Sequence, residues 1–290
     1  MSVRALLHPD DLPALKRLFE ACLAHDGVPP LSEHKYRSLI RNDPVAEGLV
    51  ADEDGTLVAY VHLLESKLEG TFELEIATHP GHRGTVEESM VEAALARIRR
   101  LNGDTVYAWS YSREDGEKYR RLGFEPVRDL HQLRVALPVD APDSVGGIDI
   151  RPYVAANETA LLRLNNAAFE NHPEAGNWTT DDLNLRQGYD WHDPEGIRMA
   201  WDGERLVGFC WTKAHAGGFG EIYLIATSPD ARGRGLGREL VLEGLRFLRV
   251  EKGSTMGLLY VDAANESAMR LYGRIGFQIH HTDRAFRLSL

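Results

Sequence analysis

Cysteine is scarce in this sequence. Cys22 and Cys210 are the two cysteines among 290 residues, and they stand far apart. Two cysteines are too few for a disulfide framework or a cysteine-ligated zinc site, so we expect a reducing, cytoplasmic environment. The histidines show no metal-ligand spacing, so we expect no bound metal. The opening residues carry no long apolar run of the kind found in secretory signals.

Long apolar segments and an excess of positive charge are also missing. No stretch of about 18 apolar residues is present, which argues against a membrane span. The 33 lysines and arginines are outnumbered by 44 aspartates and glutamates, which gives a net charge of −11. Because nucleic acids attract basic surfaces, this balance argues against a nucleic-acid partner. We expect a monomer that acts on a small molecule.

The sequence does have the composition of a globular protein and one internal repeat. Hydrophobic residues make up 43% and charged residues 27%, and a length of 290 residues suggests about two domains. Three segments recur in the same order, at spacings of 149, 149 and 153 residues. The pairs are Thr56–Tyr60 with Arg205–Phe209, Ile76–Pro80 with Ile225–Pro229, and Tyr119–Phe124 with Tyr272–Phe277. Such an ordered repeat indicates duplication of one domain.

Composition marks the boundary between the two copies. Residues 139–147 are rich in proline, glycine, aspartate and serine and have no periodicity, which is typical of a linker. We therefore predict a first domain over residues 1–138, a linker over 139–147 and a second domain over 148–290.

The second copy alternates between strand and helix patterns. We predict strands over Ile148–Tyr153, Ile197–Trp201, Leu206–Lys213, Glu221–Thr227 and Gly257–Val261, with helices over Glu158–Phe169 and Leu236–Val250. Asn265 is a good N-cap for a last helix, and Gly276 would end it. A closing hairpin is expected over Phe277–His281 and Ala285–Leu288. The pattern predicts an α/β or α+β fold, with a mixed, mostly antiparallel sheet flanked by helices in each copy.

A glycine-rich loop, Arg232–Gly237, lies between a predicted strand and the helix that follows it. Glycines at alternate positions let the backbone approach a ligand closely, because no Cβ intervenes. The N-terminus of the following helix favours an anion, and Arg232, Arg234 and Arg238 add positive charge. The loop therefore predicts a pyrophosphate site, the alternative being a flexible turn with solvated arginines. Its spacing is not the G-x-G-x-x-G of dinucleotide-binding folds.

Two motifs of the second copy resemble those of the GNAT acetyltransferases. Arg232–Gly237 matches the pattern Q/R-x-x-G-x-G/A, and Asn265–Phe277 matches N-x-x-A-x-x-x-Y-x-x-x-G-F. The resemblance implies two tandem GNAT domains and acetyl-CoA as cosubstrate. It assigns coenzyme binding to Ile225, Ala226, Thr227, Arg232, Gly233, Arg234, Gly235, Leu236, Gly237, Arg238, Asn265, Glu266, Ser267, Ala268, Met269 and Arg270. It also implies that backbone N–H groups around Ile225–Thr227 polarise the thioester carbonyl.

Further segments are similar to a group of tandem GNAT enzymes that acetylate the cysteinyl amine of cysteinyl-glucosaminyl-inositol. They are Asp26–Glu33, Leu122–Phe124, His172–Trp178, Trp191–Gly196, Gly208–Lys213, Gly220–Tyr223 and Leu259–Asp262. This resemblance implies that Glu33, Glu174, Lys213, Glu221 and Tyr260 contact such an acceptor. Carboxylates suit hydroxyl and ammonium donors, whereas lysine and tyrosine can donate to hydroxyls or carbonyls. The tryptophans Trp178, Trp191 and Trp211 either line a sugar pocket or belong to the core.

Acetyl transfer to an amine needs a base, since an α-amino group is mostly protonated near neutral pH. Glu221 opens the strand that leads to the glycine loop and is the candidate base, the alternative being a solvated carboxylate at a strand end. Tyr272 is the candidate proton donor to the leaving thiolate, the alternative being a core ring packed on Phe277. Neither a Ser–His–Asp arrangement nor a reactive cysteine is evident, so direct transfer is predicted.

The first copy departs from these patterns. At an offset of 149 residues, Val86 and Glu88 replace Gly235 and Gly237, and Phe72 aligns with Glu221. A β-branched residue and a carboxylate both oppose phosphate binding, so we expect the first copy to be structural.

Two other functions are open on the sequence alone. The chain could be a GNAT enzyme for another small amine, such as an aminoglycoside or a polyamine. It could also be an acyl-CoA-binding regulatory module with both sites inert. Retention of Glu221 and Tyr272 beside an intact loop favours an enzyme.

Overall fold

The computed structural model divides the chain into two compact units. It describes residues 2–6, 9–27, 29–66, 68–111, 113–139, 148–170, 177–231 and 233–290. The first unit comprises Met1–Asp129 and Asp283–Leu290, and the second comprises Leu130–Thr282. Among the described residues, no helix combines the length and the apolar character needed to cross a membrane.

The elements of the first half of the chain begin with a short strand and two helices. In chain order they are β1 (Ser2–Ala5), α1 (Leu12–Asp26), α2 (Glu33–Arg41), β2 (Ala46–Glu53), β3 (Thr56–Glu65), β4 (Thr71–Thr78), α3 (Glu87–Arg100), β5 (Thr105–Ser110), α4 (Arg113–Arg121) and β6 (Glu125–Ala136).

The second half repeats this order of strands and helices. Its elements are β7 (Asp149–Pro152), α5 (Glu158–Ala168), α6 (Thr180–Gln187), β8 (Ile197–Asp202), β9 (Arg205–Ala214), β10 (Phe219–Thr227), α7 (Leu236–Val250), β11 (Met256–Asp262), α8 (Glu266–Ile275) and β12 (Gln278–Ser289).

In the first unit, the sheet follows the order β1, β2, β3, β4, β5 and then the part of β12 that belongs to this unit. Only the β4–β5 pair is parallel among these described strands. Successive residues of β2 point to opposite faces, as a strand requires. Leu49 and Ala51 therefore join the core beneath α3, while Val50 joins the core that buries Leu15 and Leu18 of α1.

The second unit has the matching order, from β7 through β8, β9, β10 and β11 to the residues of β6 from Leu130 onward. The β10–β11 pair is its parallel pair. Cys210 of β9 joins the core under α7, whereas Phe209 and Trp211 face the core covered by α5 and α6. The apolar residues of α7 that fill the first of these cores are Leu236, Leu240, Val241, Leu245 and Leu248.

The sequence repeat and the compact units of the structure divide the chain at different residues. Residues 130–136 come from the first half of the sequence, yet they pair with β11 inside the second unit. Likewise, Arg284–Ser289 pair with β5 inside the first unit. The domain boundaries inferred from the repeat therefore stay a prediction about the sequence. Most of the predicted linker, residues 140–147, lies outside the described residues.

The predicted fold class, a mixed sheet flanked by helices, is confirmed, and so are several element boundaries. The predicted helix Leu236–Val250 is α7, Asn265 caps α8 by accepting from the Ala268 N–H at 3.1 Å, and Gly276 ends it with φ 107°. The predicted hairpin at the C-terminal end is wrong. β12 is one continuous strand, because no glycine or proline interrupts Gln278–Ser289.

Candidate active site

A gap opens in the sheet of the second unit between β10 and β11. These parallel strands pair over Phe219–Ile222 and Met256–Leu259, but β10 continues to Thr227 and β11 to Asp262. The pairing of β10 with β9 also shifts by one residue between Ile222 and Leu224, which makes Tyr223 the extra residue of a β-bulge.

The bulge and the gap together leave backbone groups of β10 available. Alternate backbone groups of an antiparallel strand point away from its partner, so after the bulge those that point away from β9 face the gap. Ile225, Ala226 and Thr227 lie in this part of β10. Hydrogen-bond donors and acceptors therefore line the stretch of strand that leads into the glycine loop.

The glycine loop has the shape of an open anion cradle. Gly233 and Gly235 have φ of 78° and 77°, a region that residues with a Cβ rarely adopt. A Cβ at either position would meet no atom within 4 Å, so the space above the loop is open. Gly235 is also the N-cap of α7 and provides no side-chain cap, which leaves the first N–H groups of a 15-residue helix for a ligand. These features fit a pyrophosphate.

The arginines of the loop are partly neutralised by neighbouring carboxylates. Arg234 donates to Asp202 at 2.9 Å, and Arg238 lies 3.1 Å from Glu239. Arg232 lies outside the described residues. The positive charge that Arg234 and Arg238 bring to the cradle is therefore partly offset, and the helix N-terminus adds to what remains.

The second coenzyme motif adjoins the first. A Cβ on Gly237 would lie 3.5 Å from Leu271 of α8, so the start of α7 and α8 are neighbours. The first residues of α8, which follow the cap residue Asn265, are of two kinds. Glu266, Ser267 and Arg270 are exposed, whereas Ala268 and Met269 are half-buried and pack against the core under α7.

Glu221 is buried on β10 and bound to an imidazole. Its Oε2 lies 2.6 Å from Nε2 of His215, and the two side chains are 11% and 35% exposed. The alternative of a freely solvated carboxylate does not hold, because the side chain lies on the sheet face and has a partner. His215 went unnoticed in the sequence. The double glycine at 217–218, which turns β9 back onto β10, was the signal that could have revealed the pairing.

Lys213 stands directly opposite Glu221 in the β9–β10 pairing and shares its face of the sheet. Its Nζ lies 4.8 Å from the ring centroid of Trp191 and 6.0 Å from that of Tyr223. Burial raises the pKa of Tyr223 to about 12, so its phenol is protonated near neutral pH. Of the three tryptophans proposed for a sugar pocket, Trp178 and Trp211 are buried in the core and only Trp191 is partly exposed.

Tyr260 lies on β11, two residues beyond Leu258, which is the residue that pairs with Glu221. It therefore shares the face of the sheet that carries Glu221. Its hydroxyl accepts from Nε2 of Gln132 at 2.6 Å, and Oε1 of Gln132 accepts from Nε of Arg134 at 2.8 Å. Gln132 and Tyr260 are cross-strand partners, as are Arg134 and Leu258. Sequence reasoning missed Gln132 and Arg134 because they lie in the first half of the chain, and no local pattern indicates which strand β6 pairs with.

Tyr272 is 6% exposed and packs edge-on against Phe277, with ring centroids 5.8 Å apart. It therefore has the core contact named as the alternative to a catalytic role. Burial raises its pKa well above the ordinary value, which keeps the phenol protonated. A protonated phenol is the form that a proton donor requires.

The other two predicted acceptor residues do not belong to the described part of the second unit. Glu33 opens α2 in the first unit, where its carboxylate lies 3.9 Å from Arg37. Glu174 lies outside the described residues.

In the first unit, the loop that corresponds to the glycine loop has a backbone donor already bound by a side chain of the same loop. Gly84 keeps a left-handed φ of 76°, but its N–H donates to the carboxylate of Glu87 at 2.9 Å. Val86 is 5% exposed and packs into the core under α3. Glu88 binds Arg121 at 2.6 Å. A carboxylate of the chain thus occupies a donor that a phosphate would need.

The predicted alignment of Phe72 with Glu221 is wrong. β4 pairs with β3 without a shift, so Glu73 stands opposite Leu64 as Glu221 stands opposite Lys213. The bulge in β10 adds one residue that β4 lacks, which displaces the sequence alignment. The first unit therefore keeps a carboxylate at the position of the candidate base.

That carboxylate is tied to a buried lysine. Lys35, with a side chain 4% exposed, lies 2.6 Å from Glu73 and 3.2 Å from Glu75. Burial by itself would lower the pKa of Lys35, but the carboxylates of Glu75 and Glu73 outweigh it and raise the pKa. The lysine is therefore charged and holds Glu73 in an ion pair.

Comparison with known proteins identifies the class. The acetyltransferase (GNAT) family matches residues 159–277. A GCN5-related N-acetyltransferase from Sphaerobacter thermophilus has a TM-score of 0.73 and 26% identity, over 99% of this chain and 95% of that chain. A tandem GNAT protein from the clavulanic acid biosynthesis pathway has a TM-score of 0.74 at 16% identity, over 99% and 98% of the two chains, and shows the fold alone. With the bulged strand, the gap and the glycine loop, these matches define a GNAT acetyltransferase.

Relatives over the full length narrow the assignment. The mycothiol acetyltransferase of Acidimicrobium ferrooxidans is 38% identical over 289 residues, covering 94% of this chain and 92% of its own. That of Geodermatophilus obscurus is 37% identical over 297 residues, covering 97% and 95%. The chain therefore belongs to the mycothiol acetyltransferase family. The predicted family and the prediction of an acetyltransferase are confirmed, and the non-enzymatic alternative is set aside.

Proposed function

We propose that the second unit transfers the acetyl group of acetyl-CoA directly to the cysteinyl amine of cysteinyl-glucosaminyl-inositol, the last step of mycothiol formation. The observation that carries this proposal is the position of Glu221. Its carboxylate lies on the strand that leads through the bulge into the glycine loop, so a base and an anion cradle are joined by one strand.

Acetyl-CoA, when bound, supplies the acetyl group as an activated thioester. The residues that would hold its pyrophosphate are those of the loop from Gly233 to Gly237, with the first N–H groups of α7 as donors. Leu271 of α8 adjoins this cradle at Gly237, and the residues that begin α8 would contact the rest of the coenzyme. Backbone N–H groups of Ile225–Thr227 that face the gap would polarise the carbonyl.

Deprotonation of the acceptor is assigned to Glu221. An α-amino group has a pKa near 8, so at neutral pH most of it is in the ammonium form, which has no lone pair for attack. A carboxylate held on the sheet face beside the gap can take this proton, directly or through one water, and free the nitrogen lone pair for attack. The amine nitrogen then forms the new bond to the acetyl carbon as the carbon–sulfur bond breaks.

Tyr272 is assigned to the departing sulfur. Its burial keeps the phenol protonated, and it follows Leu271, the residue of α8 that neighbours Gly237 at the start of α7. Donation of the phenol proton to the leaving thiolate would prevent the reverse reaction. This assignment competes with the purely structural contact that Tyr272 makes with Phe277.

Recognition of the acceptor is assigned to the polar face of the sheet around Glu221. Lys213 and Tyr260 offer donors for the hydroxyl oxygens of a sugar and an inositol ring. Trp191 adds a partly exposed ring beside Lys213, of the kind that packs against sugars. Glu33 and Glu174 keep their proposed roles from the family resemblance. A monomeric, cytoplasmic enzyme is also proposed, and the two buried free thiols are consistent with a reducing compartment.

The acceptor can be tested with a panel of amines. The intact protein is incubated with acetyl-CoA and either cysteinyl-glucosaminyl-inositol, an aminoglycoside or a polyamine, and release of free CoA thiol is followed. We expect kcat/KM to be highest by far for the cysteinyl glycoside, with the acetyl group found on its amine by mass spectrometry. A higher kcat/KM for an aminoglycoside or a polyamine would show that the acceptor belongs to that class. The assignment as an acetyltransferase would still hold.

The chain is expected to bind one acetyl-CoA tightly, in the second unit. In the first unit, Glu87 already accepts from Gly84 N–H and the buried Val86 replaces a glycine. Calorimetric titration with acetyl-CoA should therefore give a stoichiometry near one. Two sites of similar affinity would show that the first unit still binds the coenzyme despite its own carboxylate.

A further inference from the structure

The contact between His215 and Glu221 is placed where it controls the candidate base. The imidazole follows the end of β9 and the carboxylate lies near the start of β10, and the turn at Ala216–Gly218 brings them together. Their atoms Nε2 and Oε2 are 2.6 Å apart. An ionised carboxylate has no hydrogen to give, so the hydrogen of this bond resides on the imidazole.

The backbone around the pair fixes its geometry. The N–H of His215 donates to the carbonyl of Phe219 at 2.8 Å, which anchors the histidine to a residue two positions before Glu221. Gly217 and Gly218 have φ of 77° and 80°, so the turn between them depends on residues without a Cβ. A donor held by the backbone restricts the orientation of a mostly buried carboxylate.

We propose that His215 is the positioning residue of the base, holding Oε2 of Glu221 through Nε2–H and leaving Oε1 as the oxygen that takes the proton from the acceptor amine. The inference rests on the proposed role of Glu221. His215 itself does not touch the reacting atoms. The hydrogen bond occupies one oxygen of the carboxylate and restricts its orientation, which is what a positioning role requires.

Other charged and titratable groups of the described structure surround this face from four strands and from α6. They are Lys213 of β9, Tyr223 of β10, Tyr260 of β11, Arg134 of β6 and Arg186 of α6. Arg134 is stacked 4.9 Å from the ring centroid of Phe219, and Arg186 hydrogen-bonds to Tyr223. Lys213 and Arg134 are cations that remain on this face when His215 is replaced. Loss of His215 is therefore expected to loosen the orientation of the carboxylate without removing the base.

The test compares His215→Leu with His215→Gln, which keeps an N–H donor. Hydrogen bonds to charged groups are worth roughly 1.5 kcal/mol or more, which corresponds to about tenfold. We expect His215→Leu to move the acidic limb of the kcat/KM profile about one unit to higher pH, because a carboxylate without its donor protonates more readily. Its kcat at neutral pH should fall by about tenfold, because Oε1 is no longer held toward the acceptor amine. His215→Gln should recover most of both, and the dissociation constant of acetyl-CoA should be unchanged in each.

His280→Leu is the matched control, because His280 is exposed on β12 within the second unit. It should behave as wild type. Should His215→Leu fail to fold by circular dichroism, His215→Phe serves the same comparison. A pH profile of the folded variant that superimposes on wild type would overturn the proposal, and so would a Gln variant as impaired as the Leu variant.

A second readout separates this inference from the proposed function. The titration of the Glu221 carboxyl can be followed by carbon-13 NMR in the intact protein without acceptor or acetyl-CoA. Its midpoint should move to higher pH in His215→Leu. If Glu221→Gln keeps full turnover, the base is another group and the proposed function fails at that point. An unmoved NMR midpoint in His215→Leu would instead refute the positioning role while leaving the base assignment intact.

Discussion

Replacing Glu221 by glutamine is expected to lower turnover by about 10²–10⁴-fold, the usual contribution of a general base. Glutamine preserves the size of the side chain and can still bond to His215, but it cannot take a proton from an ammonium. The coenzyme cradle is built from the backbone of a different segment, so the dissociation constant of acetyl-CoA should change little. Steady-state kinetics and calorimetry on the same preparation measure both quantities.

The pH dependence sharpens this result. In the wild type, activity should fall on the acidic side as the base becomes protonated, and this limb should weaken or move in the glutamine variant. Glu251→Gln is a suitable control, since Glu251 is exposed just after the end of α7. If Glu221→Gln retained wild-type turnover across the pH range, deprotonation would have to occur in bulk solvent or through another group.

Replacing Gly235 by glutamate is expected to weaken acetyl-CoA binding by about 10²-fold or more. The new carboxylate would lie at the N-terminus of α7, where the helix dipole and the free N–H groups favour the phosphate. Losing two charge-assisted hydrogen bonds of about 1.5–3 kcal/mol each accounts for this factor. Calorimetry with CoA on the purified variant measures it directly.

Backbone strain needs its own control in this experiment. Any residue with a Cβ at Gly235 meets an unfavourable φ, at a cost of about 1–3 kcal/mol in stability. Gly253 has a similar φ of 68° and also open space around it, but it lies beyond the other end of α7. Gly253→Glu should therefore lose similar stability and keep its affinity for CoA. Equal affinities in the two variants would show that the loop is not the phosphate site.

Local signals in the sequence were sufficient for much of the second unit. The spacing of leucines from Leu236 to Leu248 defined α7, and Asn265 with Gly276 defined both ends of α8, because caps and periodicity are set by nearby residues. The glycines of the loop were likewise recognisable, since their left-handed φ is a local demand of the backbone.

The pairing of strands that are distant in the sequence could not be predicted from such local signals. No pattern in Leu130–Ala136 indicates that these residues pair with β11, so Gln132 and Arg134 beside Tyr260 were not foreseen. The bulge at Tyr223 was also invisible, because one extra residue in a strand changes the register without changing composition. This one residue misaligned Phe72 with Glu221 and concealed Glu73.

The contrast between the two units clarifies what a GNAT unit needs besides its fold. Both units have the same order of strands in the sheet, and both carry a carboxylate at the position of the base. The second unit has a bulge, an open glycine loop and an imidazole on the carboxylate. The first has an unbroken β3–β4 register, a loop donor taken by Glu87, and a lysine on the carboxylate.

The most direct test of the assigned chemistry is a crystal structure of the intact chain with CoA and the cysteinyl glycoside. We expect one coenzyme per chain, with its pyrophosphate on the N–H groups from Gly233 to Gly237 and its sulfur in the gap between β10 and β11. The acceptor nitrogen should lie within hydrogen-bond reach of Glu221, directly or through one water. A pyrophosphate bound instead at the loop around Gly84, or an amine held away from Glu221, would contradict the account.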